Sequence, residues 1–225
     1  MNKLFPEMKD VTFRSMKLDG TVVKQWPAPK INMKTKVVCE TCNNGWMSDL
    51  EQDFAKPAMA DLILGNRIGE LSRKRAKGLS LFAFKTAVIA NRSLPESEFF
   101  FTTSECYAFR KSLTIPPDVT MYLVGMENVK GGGIGSFNVF FQDRNRPSPK
   151  LSLNVCSFWV GQLGFQVISA KSIGPAKVES LPTPPGLTVC FYPALEPRIS
   201  WPRKNVLGVE TFHDFSNRWN AVKWH

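Results

Sequence analysis

Two cysteines three positions apart, Cys39 and Cys42, are the residues of this sequence whose spacing best suits chemistry. Two thiolates in a C-x2-C arrangement can turn toward one tetrahedral Zn²⁺, which accepts sulfur ligands readily. A structural zinc needs four ligands, so this pair supplies half of a site. The spacing therefore predicts that Cys39 and Cys42 bind a metal ion.

The cysteine pair has two other interpretations. A redox pair of the thioredoxin type is disfavoured, because no βαβ pattern surrounds residue 39. The two thiols could also simply be buried beside Trp46. The remaining cysteines, Cys106, Cys156 and Cys190, are widely scattered in apolar or strand-like sequence, and we expect them to be inert core residues.

The segment from Val37 to Glu51 combines a short strand, the C-x2-C pair, Asn-Asn-x-Trp-Met and Leu-Glu. This order resembles the C-terminal half of a bacterial HNH endonuclease-like family. In that family an upstream C-x2-C, followed by Glu-His-x-x-Pro-x-Trp, completes the zinc site. Its histidine activates water against a scissile phosphate, and a divalent cation stabilises the displaced oxygen.

The resemblance implies a site and a partner. Cys39 and Cys42 would be ligands of a structural zinc in a partial treble-clef knuckle. Asn43 falls at the position of the last His or Asn of the HNH signature, and it would be a catalytic residue that binds Mg²⁺ or Mn²⁺. The partner would be a nucleic acid, DNA in particular.

This chain departs from the family pattern before the cysteine pair. No cysteine precedes Cys39, and the two histidines, His213 and His225, lie near the C-terminus. We expect His213 to be structural. The general base is therefore missing, and the zinc site is expected to be weak because two of its ligands are absent. These departures predict an N-terminally shortened, catalytically incomplete family member.

The net charge of +10 favours an anionic partner such as nucleic acid. Residues 67–92 hold seven Lys and Arg against one acid. Within this stretch we expect four residues to contact phosphates, with a simple solvated face as the alternative: Arg73, Lys74, Arg75 and Lys77. The N-terminus has no apolar signal region and no apolar run approaches the length of a membrane span, which predicts a cytoplasmic protein.

The hydrophobic pattern predicts an α+β fold. A helix is expected over Trp46–Ala55, another from Pro57 to Leu64, a long one from its N-cap Ser72 to Asn91, and further helices over Ser104–Lys111 and Val206–Trp219. Strands are expected at Val119–Met126, Ile134–Gln142, Leu151–Val160, Leu163–Ser169 and Leu187–Tyr192. Short connections between these strands predict an antiparallel sheet.

Two features complete the expected organisation. The glycine-rich run Gly131–Ser136 lacks a phosphate-loop ending and is predicted to be a hairpin connection between strands. We divide the chain into a knuckle region at residues 1–66 and a domain at residues 67–225 with a helical segment and a β-rich part.

Two functions from different classes follow from the sequence. The first is an HNH endonuclease-like protein that binds nucleic acid. The second is a non-enzymatic module without metal, in which the β-rich region binds a protein partner. Metal content and nuclease activity separate the two.

Overall fold

The computed structural model describes residues 11–16, 21–28, 37–66, 69–128, 130–142, 149–172, 186–193, 198–201 and 205–221. His225 lies outside these ranges. The described residues form helices packed on an antiparallel sheet, which confirms the predicted α+β fold.

The helices and strands follow one another along the chain in a mixed order. The strands are β1 (Val11–Met16), β2 (Val22–Ala28), β3 (Gly69–Ser72), β4 (Val119–Gly125), β5 (Gly132–Gln142), β6 (Pro149–Val160), β7 (Leu163–Ser172), β8 (Thr188–Tyr192) and β9 (Arg198–Trp201). The α-helices are α1 (Glu40–Cys42), α2 (Ser48–Leu50), α3 (Lys56–Leu64), α4 (Arg73–Arg92), α5 (Thr103–Ser112) and α6 (Val209–Asn217).

The residues from Glu40 to Leu64 form one helical segment, which we call the cysteine helix. Its α-helical pieces α1, α2 and α3 are joined by π-helical turns at Asn43–Met47 and Glu51–Ala55. Gly45 has a non-helical ψ of −118° and kinks the segment. Gly65 ends it in the left-handed conformation, at φ +70°. The predicted helices Trp46–Ala55 and Pro57–Leu64 are therefore parts of a single kinked segment.

The main sheet has five strands in the order β5-β6-β7-β4-β8, and every neighbouring pair is antiparallel. The predicted hairpin at Gly161 joins β6 to β7, and Gly161 has the positive φ of +55° that this tight turn requires. Two small sheets accompany it, the hairpin β1-β2 and the pair β3-β9.

The sheet is covered by helices on both faces. On one face α4 packs against β5, β6, β7 and β8, and the alternating residues Cys156 and Phe158 of β6 join its core. The other set of β6 residues, Leu153 and Val155, lies in a core with Trp219. Helix α6 covers this second face. The cysteine helix lies on the α4 side, since Leu50 belongs to the same core as α4.

Helix α4 forms where the sequence predicts it. The Ser72 hydroxyl accepts a hydrogen bond from the amide of Arg75 at 3.4 Å, which caps the first turn. The first turns are exposed and basic, and the later turns bury Leu79, Phe84 and Ala87. Helix α5 is confirmed too, with a capping box between Thr102 and Glu105.

The prediction for the glycine-rich run is wrong. Strands β4 and β5 are not neighbours, so the run does not connect a hairpin, and its residues from Gly132 onward belong to β5. A Cβ at Gly133 would lie 2.7 Å from the indole nitrogen of Trp159. The glycines at 132 and 133 therefore allow Trp159 on β6 to approach the backbone of β5.

The strand expected directly before the cysteine pair is not formed by Val37 and Val38, the two residues there that the structure describes. Val37 and Val38 lie in a turn, and Cys39 follows as the N-cap of α1. Among the described residues no strand pairs with Val37–Val38, so their β-branched side chains have no sheet to join. None of the helices in the described ranges has both the length and the hydropathy needed to cross a membrane.

Candidate metal-binding cysteine pair and basic helix start

Cys39 and Cys42 lie on one turn at the start of the cysteine helix. Cys39 is exposed and Cys42 is half-buried. The amide of Cys42 donates a hydrogen bond to Cys39 Sγ at 3.4 Å, so the Cys39 sulfur lies over the first turn of the helix. The two thiols are thus near each other and reachable from solvent, which is what a pair of metal ligands needs.

The surroundings of Cys39 favour its thiolate. The Cys42 side chain, acting as a hydrogen-bond partner, lowers the pKa of the Cys39 thiol, and the Cys42 amide lowers it further. The guanidinium of Arg110 on α5 adds a smaller electrostatic contribution in the same direction. A thiolate is the form that binds a metal ion, so this environment suits a ligand.

An aromatic contact holds the cysteine helix against α5. The ring of Trp46 meets the ring of Phe109 edge-on, with centroids 5.9 Å apart. Phe109 in turn contacts Phe84 of α4 at 4.8 Å. The Trp46 indole nitrogen is buried without a hydrogen-bond partner in the described structure. Trp46 therefore anchors the turn that bears the cysteines to the main core.

Asn43, the residue expected to bind a catalytic metal ion, directly follows Cys42 and is exposed. Its side-chain amide donates to Asn44 Oδ1 at 3.2 Å. Its backbone amide donates to the carbonyl of Cys39 at 3.0 Å. Asn43 thus directly follows the cysteine pair on the helix, and among the described residues no group of three or more His, Cys, Asp or Glu side chains is placed to hold a metal ion with it.

The donor set of the cysteine pair would supply half of the ligands that a structural zinc ion needs. Within the described ranges no group of three or more His, Cys, Asp or Glu side chains is placed to hold a metal ion. The two thiols match the ligand type and spacing that zinc prefers. Water or a ligand from another molecule would have to complete the tetrahedron, which weakens binding.

The four basic residues expected to contact phosphates lie on the first turns of α4 and are all exposed: Arg73, Lys74, Arg75 and Lys77. None of them forms an ion pair within the described part of the chain. The first turn of α4 contains no acidic residue. Because the N-terminal end of a helix is already positive, each cation there is disfavoured, by about 0.3–1 kcal/mol at low ionic strength. A bound anion would relieve this repulsion.

The structure does not bring the cysteine pair and the basic residues together. The cysteine helix and α4 run antiparallel, because the short stretch 65–72 joins them and Glu51 contacts Lys85. Cys42 lies nine residues before Glu51, and Lys77 lies eight residues before Lys85. At 1.5 Å per residue the two features are separated along the helix axes by at most roughly 25 Å, because the kink at Gly45 shortens the path, and they lie toward opposite ends of the helix pair.

Of the three other cysteines, Cys156 is a buried core residue as expected, whereas Cys106 and Cys190 are only half-buried. His213 is exposed on α6, where its ring contacts the Asn217 side chain. The sheet separates α6 from the cysteine helix, so His213 cannot serve Cys39 or Asn43. Burial raises the pKa of the Cys156 thiol to about 12, and burial also raises the pKa values of Cys106 and Cys190.

Sequence reasoning missed the residues that support the site from other elements. Arg110 approaches Cys39 from α5, and Lys85 pairs with Glu51 across two helices. These contacts join residues 34 or more positions apart in the sequence. The signal for Lys85 was its place in the apolar stretch Leu81–Ala90, which implies a buried ammonium that needs a partner.

Comparisons of the chain with protein-family models, with curated proteins and with solved structures find no match.

Proposed function

We propose that the chain is an HNH endonuclease-like protein that binds nucleic acid, DNA in particular, with Cys39 and Cys42 as ligands of a zinc ion. The observation that supports metal binding is the adjacent pair of thiols at the start of the cysteine helix, Cys39 exposed and Cys42 half-buried. The resemblance of residues 37–51 to the second half of an HNH module supports the same proposal.

DNA binding is supported by the cations at the start of α4, which form no ion pair with any residue that the structure describes. Arg73, Lys74, Arg75 and Lys77 are exposed where the helix dipole disfavours them, and phosphates would relieve the repulsion. The axial separation of at most roughly 25 Å between them and the cysteine pair corresponds to no more than about seven base pairs at 3.4 Å each. A duplex of ten or more base pairs is therefore long enough to meet both features.

Binding is proposed for these residues, and cleavage is not. The described structure offers no histidine beside Asn43, since His213 lies behind the sheet. A Mg²⁺ or Mn²⁺ ion held at Asn43 would supply charge stabilisation at a phosphate, but a general base would still be needed. The proposal includes a cytoplasmic location, where thiols stay reduced.

The experiment that tests DNA binding is fluorescence anisotropy with a labelled 20-base-pair duplex at several NaCl concentrations. Each phosphate contact contributes about 0.9 to the slope of log K against log salt. The double variant Arg75→Gln/Lys77→Gln should weaken binding and reduce the slope by about 2. The control Lys56→Gln/Lys111→Gln removes the same charge from exposed positions on α3 and α5.

Three outcomes would contradict the proposal. Equal losses in both double variants would show that only net charge matters. No binding to the duplex at low salt would rule out the DNA partner and favour the metal-free interaction module. Efficient cleavage of the duplex with Mg²⁺ or Mn²⁺ would show that the chain has a general base after all.

A further inference from the structure

A cavity of about 280 Å³ lies between α4, the start of α5 and the α4-facing side of the sheet. Phe84 and Val88 come from α4, Phe100 and Phe101 from the loop before α5, and Cys106 from α5. Ser169 and Lys171 of β7 border the cavity from the sheet. It is separate from the cysteine pair and from the basic start of α4.

The helix-side wall of the cavity is apolar and contains three phenylalanine rings, and the rest of the lining includes polar and charged residues such as Glu105, Asp118 and Lys171. Phe84 and Phe101 meet edge-on at 5.6 Å, and Phe100 packs on Phe101 at 5.1 Å, so the three rings form one rigid group. Val88 adds an aliphatic surface on the next turn of α4. Such walls suit a flat apolar molecule, which gains contact with ring faces and edges.

The floor of the cavity contains a buried hydroxyl without a partner. Ser169 is 3% exposed, and its Oγ has no hydrogen-bond partner among the described residues. Ser169 shares the α4-facing side of β7 with Val167 and Lys171, which directs it toward the helices and the cavity. A buried hydroxyl of this kind is normally satisfied by protein, water or a ligand.

A second unpartnered atom lies next to Ser169. Asn154 of β6 is directly opposite Ser169 in the antiparallel ladder and is fully buried. Its side-chain nitrogen donates to Ser136 Oγ and Asn138 Oδ1, both at 3.0 Å, but its Oδ1 accepts no hydrogen bond in the described structure. Opposed side chains of a ladder lie about 5 Å apart, so Asn154 lies behind Ser169 and does not itself line the cavity.

Three charged residues line the cavity, Glu105, Lys171 and Asp118, and the first two are paired with each other. Lys171 donates to Glu105 Oε2 and to the carbonyl of Phe100, both at 2.7 Å, and its ammonium lies 4.6 Å from the Phe100 ring centre. Glu105 also accepts from the Thr102 amide at 2.7 Å in the α5 capping box. Neither Lys171 nor Glu105 is left for a ligand of opposite sign, and the carboxylate of Asp118 disfavours an anion, so we expect an uncharged occupant.

We propose that this cavity binds a small, neutral aromatic molecule with a hydroxyl or ring N–H group. The ring lies against the wall formed by Phe84, Phe100 and Phe101, and its polar group hydrogen-bonds to Ser169 Oγ once the covered Ser169 hydroxyl rotates toward the cavity. The volume equals that of about nine liquid waters and lies just below the range of drug-sized pockets. A single or fused ring fits. The inference does not depend on DNA or metal binding.

Phenol and indole are suitable probes, and toluene is the apolar control. Binding is measured by saturation-transfer NMR, and occupancy is measured by the rate at which Cys106 on the cavity wall is alkylated. Mass spectrometry of the peptide that contains Cys106 distinguishes its alkylation from that of the other cysteines.

Three variants accompany the measurement. Ser169→Ala removes the floor hydroxyl, and Val88→Phe fills the cavity. Ser216→Ala removes a buried serine on the opposite side of the sheet as a control.

Phenol and indole are expected to bind and to slow alkylation of Cys106. Ser169→Ala should weaken the affinity for phenol by about 2- to 10-fold, which is the usual effect of one lost hydrogen bond. The affinity for toluene should not change. Val88→Phe should abolish the protection of Cys106 by phenol and indole, and Ser216→Ala should leave that protection unchanged. The inference is overturned if neither probe protects Cys106 at its solubility limit, or if phenol binds equally well to Ser169→Ala. It is also overturned if a crystal soaked in phenol retains only water at Ser169.

Discussion

The ammonium of Lys85, which is 5% exposed on α4, forms an ion pair with the carboxylate of Glu51 on the cysteine helix. The same ammonium lies 5.0 Å from the ring centre of Phe82. A buried cation is tolerated only when it is paired, so this contact fixes the cysteine helix along α4. It thereby positions the turn that bears Cys39 and Cys42.

Replacing Glu51 should destabilise the protein, because Lys85 would remain buried without its partner. The expected loss for Glu51→Ala is about 1–3 kcal/mol, below the cost for a fully buried pair since Glu51 is half-exposed. Urea denaturation measures the free energy of unfolding. Glu40→Ala, at an exposed position near the start of the same helix, is the matched control and should change little.

The double variant Glu51→Ala/Lys85→Met separates the ion pair from other effects of the alanine. With the buried charge replaced by an apolar side chain of similar length, the double variant should be more stable than Glu51→Ala alone. The single variant Lys85→Met completes the comparison. If the stability losses of Glu51→Ala and Lys85→Met simply add up to the loss of the double variant, the Lys85–Glu51 contact does not contribute in the way proposed.

The ion pair at the rim of the cavity should make stability depend on pH. Burial raises the pKa of Glu105, but hydrogen bonds from Lys171 and Thr102 outweigh it and the net pKa falls below the ordinary 4.5. A lowered carboxyl pKa stabilises the fold above about 4.5, and that stabilisation is lost as the pH falls through the folded-state pKa.

Glu105→Gln should therefore flatten the acid side of the stability profile. We expect the difference in unfolding free energy between the original protein and the variant to shrink between pH 6 and about pH 3, as measured by urea denaturation. Glu96→Gln removes an exposed acid nearby and should leave the profile unchanged. A difference that stays constant with pH would show that the Glu105 carboxylate is not preferentially stabilised.

Trp46 should stabilise the protein through the packing of its ring on Phe109 and not through its indole N–H. Trp46→Phe keeps a ring and removes a buried N–H that has no partner in the described structure, so we expect a cost below about 1 kcal/mol. Trp46→Ala should cost about 3 kcal/mol or more, because the contact with Phe109 is lost. Thermal unfolding compares the two, and equal losses would indicate a hydrogen bond from the indole.

The sequence predicts the elements whose signals are local. Ser72 as N-cap and the change from basic to apolar residues locate α4, and Gly161 locates the hairpin between β6 and β7. These features depend on neighbours a few residues away. The α+β class follows from them because the helical and strand-like patterns occupy different parts of the chain.

Features that depend on distant pairing could not be predicted. The pairing of β3 with β9 joins Gly69 to Trp201, and no local pattern specifies it. The strand order places β4 beside β7 and β8, which the short Gly131 connection does not reveal. Val37 and Val38 have β-branched side chains typical of strands, but they lie in a turn since no described strand pairs with them.

The candidate site was predictable in its residues and not in its geometry. The spacing of Cys39 and Cys42 indicated two adjacent thiols, and the structure places them on one turn. Their distance from Arg73–Lys77 depends on the antiparallel packing of the cysteine helix on α4. That packing depends on Lys85 and Glu51, which are 34 residues apart.

Titration with Co²⁺ tests the central claim, that the paired sulfurs hold a metal ion. With two of the four ligands, we expect a dissociation constant for Co²⁺ in the micromolar to sub-millimolar range. This corresponds to roughly half the binding free energy of a complete zinc site. We predict a sulfur-to-cobalt charge-transfer band that disappears when Zn²⁺ is added. The band should be lost in Cys39→Ser and in Cys42→Ser, and it should remain in Cys190→Ser. Absence of the band in the original protein, or its persistence in both Cys39→Ser and Cys42→Ser, would contradict the claim.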